Sequence, residues 1–287
     1  MSFSLKSNLI EKLYNSEWQE RLINIIFKSL SWNKVNKDDI ISLLDSYYMK
    51  DKPKDKTKDK KDIAKDKVII EELANLVLVT TTPYSEQNNI NRAYGKWKNI
   101  KPNINFKING MLDYGGGVGD TAFAIGHNIL HLPKNKILVV DVDEFGGVEY
   151  IPRNDITFFH FNDISDITTK VDLITVNHVL HHIKAKDYPK IVKLFDRILT
   201  KNGLIVLYEH DCDNKKMSTI INLEHMIFDV CGTKKMTYDH FVKGFYAKYL
   251  SIDKWKKIFS AHFTAVNIIK LNNVDNSAYI FFKRIKT

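Results

Sequence analysis

From Lys107 to the end of the 287-residue chain, short apolar segments alternate with amphipathic ones, and this alternation restricts the fold more than any other feature. NGMLDY (109–114), KILVVDV (136–142), ITFFHF (156–161), VDLITVN (171–177) and GLIVLYE (203–209) read as strands, with VNIIKL and AYIFFKR closing the chain. Asp120 to Leu130, and Tyr188 to Leu199 behind a possible Asp187 cap, read as helices between them. Short, nearly continuous apolar strands belong to a parallel sheet covered on both faces, and right-handed crossovers make such a sheet doubly wound. The expectation is an α/β protein with a doubly wound, seven-stranded, mostly parallel sheet and an N-terminal helical extension. In such sheets ligands bind at the carboxyl ends of the strands, so the residues just after each strand carry the functional signal.

The first of these places is Asp113-Tyr-Gly-Gly-Gly-Val-Gly119, directly after a strand and opening a helix. Glycines at 115, 117 and 119 permit a sharp turn and a close ligand approach that a Cβ would obstruct. A lone glycine loop is a weak signal, but this one stands in the required strand-to-helix context. Asp141 ends the second strand, where a carboxylate can accept both hydroxyls of a ribose, with Asp143 as the fallback. Asn162-Asp163-Ile164 follows the third strand, and Asn177-His178-Val179-Leu180-His181-His182-Ile183 the fourth.

Upstream, Leu9, Leu13, Trp18, Leu22, Ile25, Ile26 and Leu30 recur near helical spacing. Ile40, Leu43, Leu44 and Tyr47 do so after a possible Asn36 cap, which predicts two amphipathic helices within a helical region at 1–49. Residues 50–67 hold nine Lys against five Asp around one Pro and read as a solvated linker. A segment at 68–106 leads into the domain at 107–287: VIIEELANLVLV reads as a buried helix ended by the Thr80 to Pro83 turn, and Asn91 to Ile100 as a short one. The linker supplies +4 of the formal net charge of +9, so the basic balance is weak support for RNA as a partner. No apolar run reaches the roughly 18 residues of a membrane span, and MSFSLKSNLIEKL has no apolar signal core. A cytoplasmic protein without a membrane partner is expected, its oligomeric state left open. Cys212 and Cys231 are too few for a disulfide framework and lack a CxxC spacing.

Taken in order, MLDYGGGVGDTAFAIG, VVDVDE, FNDISDI, DLITVNHVLHHI and NGLIVLYEHD resemble the five motifs of class I S-adenosylmethionine-dependent methyltransferases, over roughly residues 107 to 287. The last two strands resemble the reversed hairpin that ends these Rossmann-like domains. The resemblance implies S-adenosyl-L-methionine as cofactor. Gly115, Gly117 and Gly119 would carry its methionine part, Asp141 the ribose, and Asp163 with Ile164 the adenine. Asn177 and His178 would line the methyl-bearing end, while Asp113 would hold the loop amides or reach the cofactor's amino group through water.

Methyl transfer is an in-line displacement, so the protein must orient donor and acceptor and remove the acceptor's proton where it has one; no metal is demanded. His178 and His210 are the candidate bases, with Glu209 beside them as a third catalytic candidate, and His181 is expected to be structural. His210, Asp211, Cys212, Glu224, His225 and Cys231 have ligand-type side chains, but their spacing matches no metal signature and no metal site is assigned. By the same resemblance an insertion at about 211–250 would build a lid or acceptor pocket, with Tyr238, Phe241, Phe245, Tyr246 and Tyr249 walling the acceptor. Arg92 and Lys96 share one helix face, read as solvated or, alternatively, as partners of an anionic group. A small or medium polar acceptor is favoured. RNA methyl transfer is the alternative, weakened by Asn177 standing where a ribose 2'-O enzyme has aspartate. A cofactor-free scaffold subunit is the other, opposed by the intact glycine loop and Asp141.

Overall fold

The computed structural model describes residues 9–30, 35–49, 62–77, 86–142, 144–145, 148–149, 151–232 and 236–285. Most of the charged linker, the Thr80 to Pro83 turn and Asp143 lie outside the described residues. Contacts divide the chain into two units, Met1–Pro83 with Asn214–Tyr246, and Tyr84–Asp213 with Ala247–Thr287.

The second unit is built on one sheet of seven strands: β1 (Met111–Tyr114), β2 (Ile137–Asp141), β3 (Thr157–His160), β4 (Val171–Asn177), β5 (Leu199–His210), β6 (Phe263–Lys270) and β7 (Ser277–Arg284), in the spatial order β3-β2-β1-β4-β5-β7-β6. The first five strands run parallel, and β7 is antiparallel to both its neighbours. This is the doubly wound, mostly parallel sheet that the strand pattern predicts, closed by the reversed hairpin that the resemblance implies. Strand order reverses between β1 and β4, which opens a crevice at their carboxyl ends.

Side-chain alternation divides the core between the two faces. Leu112, Tyr114, Leu138, Val140, Ile205 and Leu207 join Phe195, Trp255 and Phe259 on one side. Met111, Ile137, Val139, Leu204 and Val206 join Ala93, Ile100 and Ala122 on the other. Helices α7 (Tyr188–Ile198) and α10 (Ile252–Phe259) therefore cover the first face, and α5 (Glu86–Ile100) and α6 (Asp120–Phe123) the second. Helix α6 runs on as a wider π-turn at Ala124–Ile129.

Several boundaries and one cap differ from the pattern. β5 begins at Leu199, which the pattern gives to the preceding helix, because the chain re-enters pairing opposite Val171 before a register shift. β6 begins at Phe263, whose buried ring anchors the edge strand. α5 starts five residues before the expected Asn91, at Glu86. Asp187 makes no side-chain cap; its backbone is helical, with Pro189 in the first turn of α7.

The first unit is helical: α1 (Leu9–Tyr14), α2 (Gln19–Leu30), α3 (Lys37–Tyr48), α4 (Asp62–Leu76), α8 (Lys215–Met226) and α9 (Tyr238–Gly244). The expected first helix is two, because Ser16 Oγ accepts from the Trp18 amide and restarts the chain after Tyr14. The Asn36 side chain caps α3 by accepting from Asp39 N at 2.8 Å, as expected. α4 starts at Asp62, inside the charged stretch, and its buried Asp66 accepts the Leu9 and Ile10 amides at the start of α1. Both cysteines are buried thiols, Cys231 donating to Ile70 O. Among the described residues no helix is long and apolar enough to cross a membrane.

Phe282 is fully buried on β7 and stacks on Phe259 of α10 at 4.5 Å. Phe282→Ala should cost about 3–5 kcal/mol in urea unfolding; a loss under about 1 kcal/mol would mean that α10 is not fastened to the sheet there.

Candidate functional site

The chain leaves β1 through a loop in which Gly115, Gly117 and Gly119 have φ of +75°, +56° and +97°, a region that side chains resist. A Cβ at Gly115 would stand 2.1 Å from Val179 and one at Gly119 2.4 Å from Ile156, whereas one at Gly117 would meet nothing within 4 Å. The loop is thus clamped at both ends and open in the middle. At that open point Gly117 N donates to Asp141 Oδ2 at 2.6 Å, and the other Asp141 oxygen accepts Val142 N at 2.7 Å. The glycine loop and the acid ending β2, far apart in sequence, meet as one surface.

Asp113 lies behind this surface, 1% exposed, and one oxygen accepts from Thr175 Oγ1 at 2.7 Å and Asn177 Nδ2 at 3.1 Å. Burial raises its pKa, opposed first by the charge of Lys96 and then by those two hydrogen bonds. Lys96 of α5 is half-buried, and desolvation, reinforced by Arg92, lowers its pKa from 10.5 to about 8. The solvated-face reading of this pair therefore fails at Lys96. Asn177 Oδ1 is buried and accepts from no described residue, an orphan acceptor where β4 ends.

Beyond β4 the chain turns through His178, which has φ +55° and donates its amide to Tyr208 O at 2.8 Å. Its ring lies 4.4 Å from that of His210 and 4.1 Å from Tyr208. His181 is fully buried, and its Nδ1 lies 2.6 Å from Glu209 Oε2. Glu209 Oε1 accepts the amides of Val179 at 3.0 Å and His181 at 3.4 Å. Burial pushes the Glu209 carboxyl well above the ordinary range, against the amide bonds that lower it. The structure thus gathers His178, His181, Glu209 and His210 into one cluster, with Glu209 beneath the turn and held by its amides.

The remaining predicted residues divide. Asp163 is exposed on the turn after β3, while the Ile164 side chain is buried in the core and its carbonyl accepts from Arg197 Nη2 at 2.6 Å. Asp211 accepts the Ile252 amide and pairs with Lys270 at 2.8 Å. Tyr249 lies 5.1 Å from the His181 ring and 5.4 Å from that of His210. In the helical unit, Tyr238 and Phe241 are buried, and Phe241 stacks on Phe245 at 4.3 Å, so the first two are core rather than open wall. Sequence reasoning missed Thr175, Arg197 and Asp275, whose carbonyl meets His210 Nδ1 at 3.1 Å. Nothing local marks them; only Thr175, a polar residue inside an apolar strand, offered a signal.

A family model described as a methyltransferase domain matches residues 88–261. Among solved structures, the chain is similar to human N-acetylserotonin methyltransferase in complex with SAM, at 14% identity and TM-score 0.44, over 70% of this chain and 57% of that one. It is similar to the pyocyanin biosynthetic protein PhzM at 13% identity and TM-score 0.43, over 66% of this chain and 54% of that one. PigF with SAH matches at 15% identity and TM-score 0.41, over 68% of this chain and 67% of that one. The chain thus spans little more than half of the first two, and the likeness is one of fold. No curated protein matches the sequence.

Two outcomes follow from the site's own physics. Gly115→Ala should destabilise the protein by clearly more than the ~1–2 kcal/mol of a left-handed alanine, which is all that Gly117→Ala should cost, and Val179→Ala should recover part of the Gly115→Ala loss. Equal melting shifts for the two alanines would contradict the clamp. Folded Lys96 binds its proton more weakly than the unfolded chain does, so its contribution is least favourable below pH 8 and improves as pH rises from about 8 towards 10.5. Urea unfolding across that window should show the rise flattened in Lys96→Met.

Proposed function

The chain belongs to the methyltransferase domain family, and we propose that it transfers a methyl group from S-adenosylmethionine to a small or medium polar acceptor. The observation that carries this reading is the union of the open Gly117 backbone with the Asp141 carboxylate at the crevice where strand order reverses. The residues fit the cofactor: a glycine cradle whose centre a Cβ would occupy, an acid beside it, and the orphan Asn177 acceptor further along the crevice.

When bound, S-adenosylmethionine supplies an electrophilic sulfonium methyl. The Gly115–Gly119 backbone binds its methionine part, with Lys96 available to the carboxylate and Asp113, through water, to the amino group. Asp141 accepts the ribose hydroxyls. Asp163 and the backbone at Ile164 border the adenine, since the Ile164 side chain is committed to the core. Asn177 and His178 line the methyl-bearing end. There the chain must orient the acceptor in line with the methyl and remove its proton, work suited to His178 or His210. Glu209, engaged by two amides and His181, acts as a positioning residue. The reducing cytoplasm, as compartment, suits two buried thiols.

Calorimetric titration with S-adenosylhomocysteine tests the reading. Wild type should bind in the micromolar range, Asp141→Ala should lose at least tenfold, about 1.4 kcal/mol, and Gly117→Ala should weaken binding while remaining folded. Absence of binding by the wild type would sink methyl transfer in favour of a scaffold role.

A further inference from the structure

At the carboxyl ends of β4 and β5, His178, His181 and His210 each bring a ring nitrogen to within 4.8 Å of the other two. Ring centroids lie 4.4 Å apart for His178 and His210, 5.2 Å for His181 and His210, and 6.2 Å for His178 and His181. His181 and His210 are 0% and 3% exposed. Methyl transfer needs one base there, not three imidazoles.

We propose that His178, His181 and His210 bind one divalent transition-metal ion, zinc first, as a three-histidine site with a fourth position open. The outer partners support it. Ligating histidines commonly donate the second ring N–H to a carboxylate or a backbone carbonyl, which sets the tautomer and aims the lone pair. His181 Nδ1 meets Glu209 Oε2 at 2.6 Å, and His210 Nδ1 meets Asp275 O at 3.1 Å, so each of these rings has the carboxylate or carbonyl partner that orients a ligating imidazole. Glu209 is itself fixed by the Val179 and His181 amides. His178 is held at φ +55°, a strained conformation for a side-chain-bearing residue and one that gathers at functional sites. An all-imidazole set suits zinc, copper, nickel or iron rather than magnesium or calcium, and three protein ligands with one open position is the catalytic zinc pattern. In a tetrahedral site at about 2.0–2.1 Å per bond the nitrogens stand roughly 3.4 Å apart, within reach of small ring rotations. The ligands come from the turn after β4 and the end of β5, and His210 is the only one shared with the ligand-type residues that stand out in the sequence.

One consequence rests on the methyl-transfer reading, while the metal site does not. An acceptor hydroxyl or thiol in the fourth position would be acidified by the ion. With the ion bound, His178 and His210 serve as ligands rather than as bases, so the acceptor's proton would pass to water, and the new bond from oxygen or sulfur to the methyl carbon would form as the sulfonium S–CH3 bond breaks, releasing S-adenosylhomocysteine.

The test uses the untagged full-length chain. Its zinc content is measured by mass spectrometry, after which the stripped protein is titrated with Co2+ and followed by visible absorption. About one zinc per chain and tetrahedral cobalt bands are expected. His178→Ala and His210→Ala should abolish the bands, and Glu209→Gln should weaken cobalt binding about 10- to 100-fold, with circular dichroism showing each variant folded. His178, half-buried, carries the test if variants at the buried positions unfold. Asp141→Ala should keep the metal while losing S-adenosylhomocysteine, so failure of the cofactor reading stays distinct from failure of this one. A wild type that takes up neither zinc nor cobalt, or bands that persist in folded His178→Ala, would overturn the site.

Discussion

Asp113 stands near the carboxyl end of β1 with its carboxylate out of water, and a buried charge persists only where hydrogen bonds and an opposite charge replace the lost hydration. Thr175 and Asn177 of β4 donate to it, and Lys96 of α5 sets a positive charge against it. These contacts join β1 to β4 where strand order reverses and draw α5 over the same end of the sheet. With the three elements tied there, the glycine loop has a fixed origin from which to reach Asp141.

Glu209 is a second buried acid, on the far side of β4. One of its oxygens accepts the amides of both Val179 and His181, and the Val179 side chain then fills the space that a Cβ at Gly115 would need. A carboxylate on β5 thereby steadies the glycine loop of β1 through one intermediate residue. The same bonds orient His181 towards His178 and His210. Glycine loop and histidine cluster are consequently two outcomes of one packing arrangement, which is why Glu209 matters to both.

The strands were legible because parallel strands buried on both faces need apolar residues at nearly every position, and a run of them survives in a single sequence. Their ends were less so. Leu199 continues the apolar pattern of α7 yet turns into β5, and Asp62 to Lys67 match a solvated linker in composition yet form the first turns of α4. Asp141 and the glycines were legible because their positions follow from backbone geometry at strand ends. Lys96 was not, since one lysine on a helix face looks the same whether it meets water or a buried acid.

The sequence by itself determined the strands of the sheet and the placement of the glycine loop and Asp141 at strand ends, because local hydrophobic patterning and glycine conformation are written residue by residue. Only the tertiary structure decided that Glu209 lies beneath a turn, that Lys96 answers Asp113, and that His178, His181 and His210 converge. Those relations depend on the register of neighbouring strands and on the side of the sheet each side chain leaves from. Such long-range facts are reached only when the whole core packs.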